Sequence, residues 1–64
     1  MLTEQELNAL AKIMGVSFSF GAPLDIMGLQ VWEAIISKAD EPHNVICLSM
    51  YKHSKVEAMN DAWI

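Results

Sequence analysis

The 64-residue chain contains no arginine, and its four lysines are outnumbered by eight aspartate and glutamate residues, giving a formal net charge of −4. Arginine is the side chain best suited to bidentate binding of phosphate and guanine. Proteins that bind nucleic acids usually carry a basic surface. We therefore expect no nucleic-acid partner for this chain.

Cysteine is also nearly absent, and long apolar runs are missing. The single cysteine, Cys47, excludes an internal disulfide framework. The sequence contains no run of about 18 apolar residues, so it predicts no membrane span. The first six residues are polar and acidic, unlike the basic start and apolar run of a secretory signal. We expect an intracellular, cytoplasmic protein that does not contact membranes.

Apolar side chains are what the sequence has in abundance. Hydrophobic residues make up 53% of the chain and charged residues 19%, a composition that argues against disorder. Residues 1–64 are long enough for one small domain only. Because a core of this size is marginally stable, small domains often gain support from oligomerisation or very good packing.

The N-terminal segment predicts a helix over residues 4–14. Thr3 and Glu6 have the spacing of a capping box, and Leu2 and Leu7 that of a hydrophobic staple. Gly15 stands where a helix commonly ends in a left-handed residue. The expected buried stripe consists of Leu7, Leu10, Ala11 and Met14.

Residues 16–20 alternate between large apolar residues and serine, which predicts a strand. The segment over residues 10–17 resembles the corner of a helix-turn-helix motif, through Leu10, Ala11, Gly15, Val16 and Ser17. A recognition helix over residues 17–27 would, however, hold two phenylalanines, a glycine and a proline, with no side chain suited to read a base edge. We favour the strand. A helix-turn-helix transcriptional regulator is the alternative function.

A second helix is predicted over residues 25–38, opened by Asp25 or Pro23. Its apolar arc would span roughly 220°, about twice what a surface helix needs. This helix is therefore expected to be either the centre of the fold or in contact with another chain. Gly28 within it is expected to mark a close packing contact.

The C-terminal third predicts a turn over residues 40–44, a strand over 45–51 and a short helix. The strand is almost entirely apolar, which is typical of a strand covered on both sides. Ser54 and Glu57 have capping-box spacing at the start of the helix. The helix would bury Val56, Met59 and Trp63.

The predicted fold is thus a single small α/β (α+β) domain in the order α-β-α-β-α. Two neighbouring strands joined by a helix would run parallel, in a two-stranded sheet that dimerisation could extend. The alternative is an all-α three-helix domain, in which residues 40–63 form one helical stripe.

Candidate catalytic and metal-binding residues are few. His43, Cys47 and His53 are too few for a structural zinc site, and Cys47 lies in an apolar run unsuited to a thiolate nucleophile, so we interpret it as a buried core thiol. The acidic pairs, Glu4 with Glu6 and Asp40 with Glu41, lack apolar surroundings that would tune a carboxyl pKa. The Lys52–Lys55 cluster is typical of a solvated turn. We expect no catalysis, no metal and no cofactor.

The surplus of apolar residues predicts a protein-binding role. Tryptophan and tyrosine dominate interface hot spots, and methionine-rich surfaces adapt to partners. We expect a non-enzymatic interaction module that acts as a homodimer. It would regulate or inhibit a larger protein, as phage- or mobile-element-encoded inhibitors of host enzymes do. The candidate binding residues are Leu29, Trp32, Ile36, Tyr51, Trp63 and Ile64.

Overall fold

A computed structural model describes residues 1–63, which form two helices and five strands. The elements are α1 (Glu4–Met14), β1 (Val16–Phe20), β2 (Leu24–Ile26), β3 (Leu29–Val31), β4 (Ala34–Lys38), β5 (Glu41–Leu48) and α2 (Lys55–Trp63). The α+β class is confirmed. The predicted order α-β-α-β-α and the all-α alternative are both wrong.

Helix α1 begins and ends as its sequence predicts. The Thr3 hydroxyl accepts a hydrogen bond from the Glu6 N–H at 3.2 Å, and the Glu6 carboxylate accepts one from the Thr3 N–H at 2.9 Å. Gly15 closes the helix with φ +72°, and its N–H donates to the Ala11 carbonyl. The predicted capping box and left-handed end are both confirmed.

The main sheet has three antiparallel strands in the order β1-β4-β5. Phe18 pairs with Ile36 and Ile36 with Cys47, so β4 is the central strand. Strand β1 is confirmed as predicted, and residues 17–27 do not form the helix that a helix-turn-helix motif requires. The predicted parallel pairing is wrong because a hairpin, rather than a helix, connects β1 to β4.

Both helices cover the same side of this sheet. Leu7 of α1 and Ala58 and Met59 of α2 are buried against Ala34 and Ile36 of β4. The three large apolar side chains of β1 and the two tryptophans close the margin of this core: Val16, Phe18, Phe20, Trp32 and Trp63. The cross-strand alternation thus supplies one buried side, while the helices leave the other side of the sheet uncovered.

The predicted helix over residues 25–38 is wrong. Its first part forms the hairpin β2–β3, and its second part forms β4. Leu24, Ile26, Leu29 and Val31 alternate with polar residues on either side of a two-residue turn, so their period is two within each arm. The wide apolar arc arose because two short alternating segments were projected onto one helical wheel.

The predicted turn over residues 40–44 and the predicted coverage of the last strand are also wrong. The turn is at Ala39–Asp40, and β5 begins at Glu41. All eight residues of β5 are exposed, including Cys47, because β5 lies at the edge of the sheet. The prediction that Cys47 is a buried core thiol therefore fails.

Helix α2 begins after Ser54, whose hydroxyl accepts a hydrogen bond from the Glu57 N–H at 3.1 Å. Asn60 of this helix joins it to the N-terminus, since its side chain bonds both the N–H and the carbonyl of Leu2 at 2.9 Å. Asp61 accepts a hydrogen bond from the Met50 N–H at 2.8 Å. These polar contacts hold α2 against the N-terminal segment and against the residues that follow β5.

Substitution of Gly15 tests the left-handed helix end. Gly15→Ala should lower the free energy of unfolding by about 1 kcal/mol, because an alanine at φ +72° is strained although nothing lies within 4 Å of the added methyl group. Gly21→Ala is the matched control, since its methyl group would make only an ordinary 3.5 Å contact. Urea denaturation measures both. Equal effects of the two substitutions would contradict the assigned helix end.

The capping box also predicts a pH dependence. Hydrogen bonds from the Thr3 backbone and side chain lower the pKa of Glu6 below its ordinary value. A carboxyl group with a lowered folded-state pKa contributes stability above its unfolded pKa of about 4.3, and this contribution is lost as the pH falls through the folded value. Glu6→Gln should therefore lose less stability than the parent chain between neutral and acidic pH, as measured by thermal unfolding. If both chains lost the same stability between neutral and acidic pH, the hydrogen bond to the Glu6 carboxylate would be contradicted.

Candidate protein-binding surface

The hairpin β2–β3 has one apolar side and one polar side. Leu24 pairs with Val31 and Ile26 with Leu29, and residues paired directly across an antiparallel hairpin share a side. Asp25 and its partner Gln30 occupy the opposite side. This arrangement is what a half-buried hairpin requires, yet only Val31 at its base is buried.

The remaining apolar residues of the hairpin lie in solvent. Leu24 is 45% exposed, Ile26 52% and Leu29 60%. Together with Met27 at the tip, these residues define what we term the hairpin surface. Several large apolar side chains that are exposed next to one another are typical of an interaction site.

The tip of the hairpin is a two-residue turn whose central residues both have positive φ, 52° for Met27 and 83° for Gly28. A type I′ turn has this geometry and favours Asn-Gly or Gly-Gly. Gly28 meets the requirement, and no atom lies within 4 Å of its hypothetical methyl group, so the close packing predicted for it is wrong. Methionine at position 27 is strained, and it is 98% exposed.

The fold itself therefore gains nothing from the Met27 side chain. Its backbone conformation disfavours an unbranched apolar residue, and its side chain has no packing partner that would compensate. Backbone strain at an exposed apolar tip is what one expects where the side chain serves contact with another molecule.

The residues predicted to bind a partner are divided between surface and core. Leu29 belongs to the hairpin surface, and Tyr51 is 45% exposed beside the bridge that joins Trp32 to Lys52. Ile36 is only 4% exposed and forms the centre of the core. Its assignment as a binding residue is wrong, because it faces the helices from the central strand.

The two tryptophans lie at the margin of the core and are half-buried. Trp32 packs edge-on against Phe20, with ring centroids 6.4 Å apart, and the Lys55 ammonium group lies 4.5 Å above its ring. Trp63 packs against Phe18 at 5.9 Å. Ile64 lies outside the described residues. The tryptophans thus complete the core and offer only part of their surface to a partner.

Sequence reasoning missed three members of the hairpin surface, namely Leu24, Ile26 and Met27. The signal was present in the alternation on both sides of Met27-Gly28. A period of two interrupted by two turn residues is the mark of a hairpin, but methionine is not a typical turn residue and concealed it.

The potential catalytic and metal-binding residues are not brought together. Within residues 1–63, no group of three or more His, Cys, Asp or Glu residues is close enough to hold a metal ion. An open cleft of about 390 Å³ is lined by Lys52, Glu57 and Asp61 among others. The Asp61 carboxylate there already accepts the Met50 N–H and lies 3.9 Å from the Lys52 ammonium group, which is a structural arrangement.

Comparisons with protein-family profiles, curated proteins and solved structures gave no significant match to this chain. Neither helix in the part that the structure describes is long and apolar enough to cross a membrane. The functional assignment therefore depends on the geometry of the surface alone.

Replacing Met27 by asparagine separates stability from contact. Met27→Asn should raise the free energy of unfolding by about 0.5–1 kcal/mol, because asparagine tolerates a positive φ and favours this turn. Met27→Leu is the control, since it keeps an apolar side chain and the same strain. Denaturant titration should show a gain for the first variant only; no gain for asparagine would contradict the type I′ turn.

Proposed function

We propose that this chain is a small non-enzymatic module that binds a larger protein through the hairpin surface. The observation that carries the proposal is the strained and fully exposed Met27 at the tip of a hairpin with one apolar side. These features are unfavourable for an isolated chain and favourable for one that inserts into an apolar groove.

The shape of the hairpin supports a partner with a groove. Four apolar side chains project from two short strands and a tight turn, so the binding element has little conformational freedom to lose on binding. Leucine, isoleucine and methionine supply apolar contact, and the polar side with Asp25 and Gln30 would remain in water. A groove of the width of one hairpin would bury the first side and leave the second exposed.

The charge of the chain supports a protein rather than a membrane surface as the partner. The formal net charge is −4, and Asp25 lies within the hairpin itself. Anionic lipid surfaces attract polybasic segments, and the hairpin contains none. An apolar groove with neutral or basic margins fits both the apolar side and the acidic surroundings.

Regulation or inhibition is the proposed consequence of binding. A chain of 64 residues that inserts a hairpin into a groove of a larger protein would block or alter that groove without chemistry of its own. An inhibitor of a host enzyme, of the kind that a phage or mobile element encodes, is one example of such a regulator, and an intracellular location is compatible with the single free cysteine. We further propose that the chain acts as a homodimer, which would cover part of its remaining apolar surface.

A charge placed on either side of the same strand tests the proposal. Leu29→Glu puts a carboxylate on the apolar side of β3, and Gln30→Glu puts the same charge on the polar side of the adjacent residue. We expect wild type and Gln30→Glu to capture the same protein from a lysate of the source cells, and Leu29→Glu to lose it at least tenfold. Affinity capture with quantitative mass spectrometry measures the difference.

Circular dichroism of both variants must match that of the wild type, which the exposure of both side chains predicts. Equal capture by Leu29→Glu and Gln30→Glu would show that the hairpin surface is not the binding site. Once the captured protein has been purified, we expect it to bind the wild-type chain directly and not to bind the Leu29→Glu variant.

A further inference from the structure

The edge strand β5 has a short stretch whose backbone is open to pairing with another strand. Ser49 donates its N–H to the Ala34 carbonyl at 2.9 Å, and Cys47 is paired with Ile36 two positions along. Because the backbone groups of successive residues in an antiparallel strand point to opposite sides, Leu48 directs its N–H and carbonyl away from β4. The Cys47 N–H faces β4, and a planar trans peptide directs the preceding carbonyl the opposite way, so the Ile46 carbonyl also points away from β4.

The surroundings restrict pairing to this stretch. On one side of it, Pro42 and the register shift between Ser37 and Lys38 interrupt the edge, which is how proteins limit unselective strand pairing. A second register shift, between Ile36 and Ser37, makes Ile46 the extra residue of a bulge at the start of the stretch. On the other side, the Met50 N–H is already bound by Asp61 and the Met50 carbonyl by the Ser49 hydroxyl. Residues 46–48 lie between these two interruptions, and they are isoleucine, cysteine and leucine.

Charge along the strand makes this edge complementary to itself. Asp40 and Glu41 lie at its beginning, and Lys52 follows its end. The Lys52 ammonium group lies 3.9 Å from the Asp61 carboxylate, whereas the Lys55 ammonium group lies over the Trp32 ring. In an antiparallel pair of two copies, the acidic end of one strand lies alongside the basic end of the other, and the uncharged centre meets the uncharged centre. A parallel pair would instead place like charges together.

We infer that a second copy of this chain pairs antiparallel along β5, with the two-fold axis at Cys47. In this register the Leu48 N–H of each copy donates to the Ile46 carbonyl of the other, and the two three-stranded sheets become one sheet of six strands. The inference rests on the dimeric state proposed above and assigns its interface. It leaves the hairpin surface free for the larger partner.

The same register covers apolar surface that one chain leaves open. Leu48 is 59% and Ile46 53% exposed, and both lie at the proposed axis. Ile46 and Cys47 also line an apolar cleft of about 280 Å³ with Met14, Val16, Ile36, Ala62 and Trp63. Because a two-fold axis perpendicular to the sheet keeps the helices of both copies on one side, the two clefts adjoin across the axis.

The native cysteine provides a direct test of the register. Directly opposed residues have Cβ atoms about 4.5–5.5 Å apart, and closest in pairs that share no hydrogen bond, which is near disulfide geometry. Oxidation with diamide, which takes up the two electrons and two protons released by the two thiols, should convert most of the reduced chain into a Cys47-linked dimer at low protein concentration. Cys47→Ser/Ser19→Cys, which moves the thiol to the exposed opposite edge strand β1, should remain monomeric on denaturing gels.

The backbone bond is tested without any cysteine chemistry. Leu48→Pro removes an N–H that points away from β4, so it removes the donor from the interface but none from the ladder within the chain. Sedimentation under reducing conditions should show a dimer for wild type, for Cys47→Ser and for Leu48→Val, and at least a tenfold weaker association for Leu48→Pro. High salt should weaken the wild-type dimer, because the paired strand ends carry opposite charges.

A monomeric wild type at high concentration would overturn the inference, and so would a dimer that neither links through Cys47 nor responds to Leu48→Pro. If Leu48→Pro fails to fold by circular dichroism, the cross-linking comparison decides. A dimer disrupted by Leu29→Glu instead would place the hairpin in the dimer contact and overturn the β5 register. If the wild type forms the Cys47-linked dimer but captures no partner, only the proposed binding role is contradicted.

Discussion

Burial of β4 under two helices on one side only is the constraint on which the rest of the structure depends. Ala34 and Ile36 form one buried cluster with Leu7, Ala58 and Met59. Residues 1–63 contain no third helix that could cover the other side of the sheet or the hairpin. Exposed apolar side chains remain on two separate elements, the hairpin β2–β3 and the edge strand β5.

The elements with local signals could be predicted from the sequence. Helix α1 has both ends marked by Thr3, Glu6 and Gly15, and β1 shows uninterrupted alternation, so nearby residues alone determine them. The segment from residue 24 to 38 could not be predicted, because Leu24, Val31 and Ile35 fit one helical face, while the alternation of apolar residues over 24–31 fits two short strands equally well. Distant contacts resolve this ambiguity, since β4 is fixed by β1 on one side and β5 on the other.

The sequence predicted an apolar protein-binding surface as the type of candidate site, but it did not predict where in the fold that surface lies. Composition showed more apolar surface than one small core can bury, and Leu29 and Tyr51 were identified on the exposed side. Ile36 was misplaced because helical spacing grouped it with Leu29, whereas the true alternation separates core from surface. The exposure of Cys47 and Leu48 depends on which strand lies at the edge of the sheet, and no local pattern records strand order. A buried strand and an exposed edge strand can share the same apolar composition.

The proposed binding role requires that the apolar side of the hairpin is exposed to solvent in the isolated chain. The most direct measurement is the relaxation enhancement that a soluble paramagnetic probe causes at methyl groups of the purified chain. Leu7, which is 0% exposed, serves as the internal reference for a protected methyl group. We expect strong relaxation enhancement at the methyl groups of Met27, Ile26 and Leu29, close to that of the exposed Met1. Enhancement as weak as that of Leu7 would mean that the hairpin folds back onto the protein, and the central claim would be wrong.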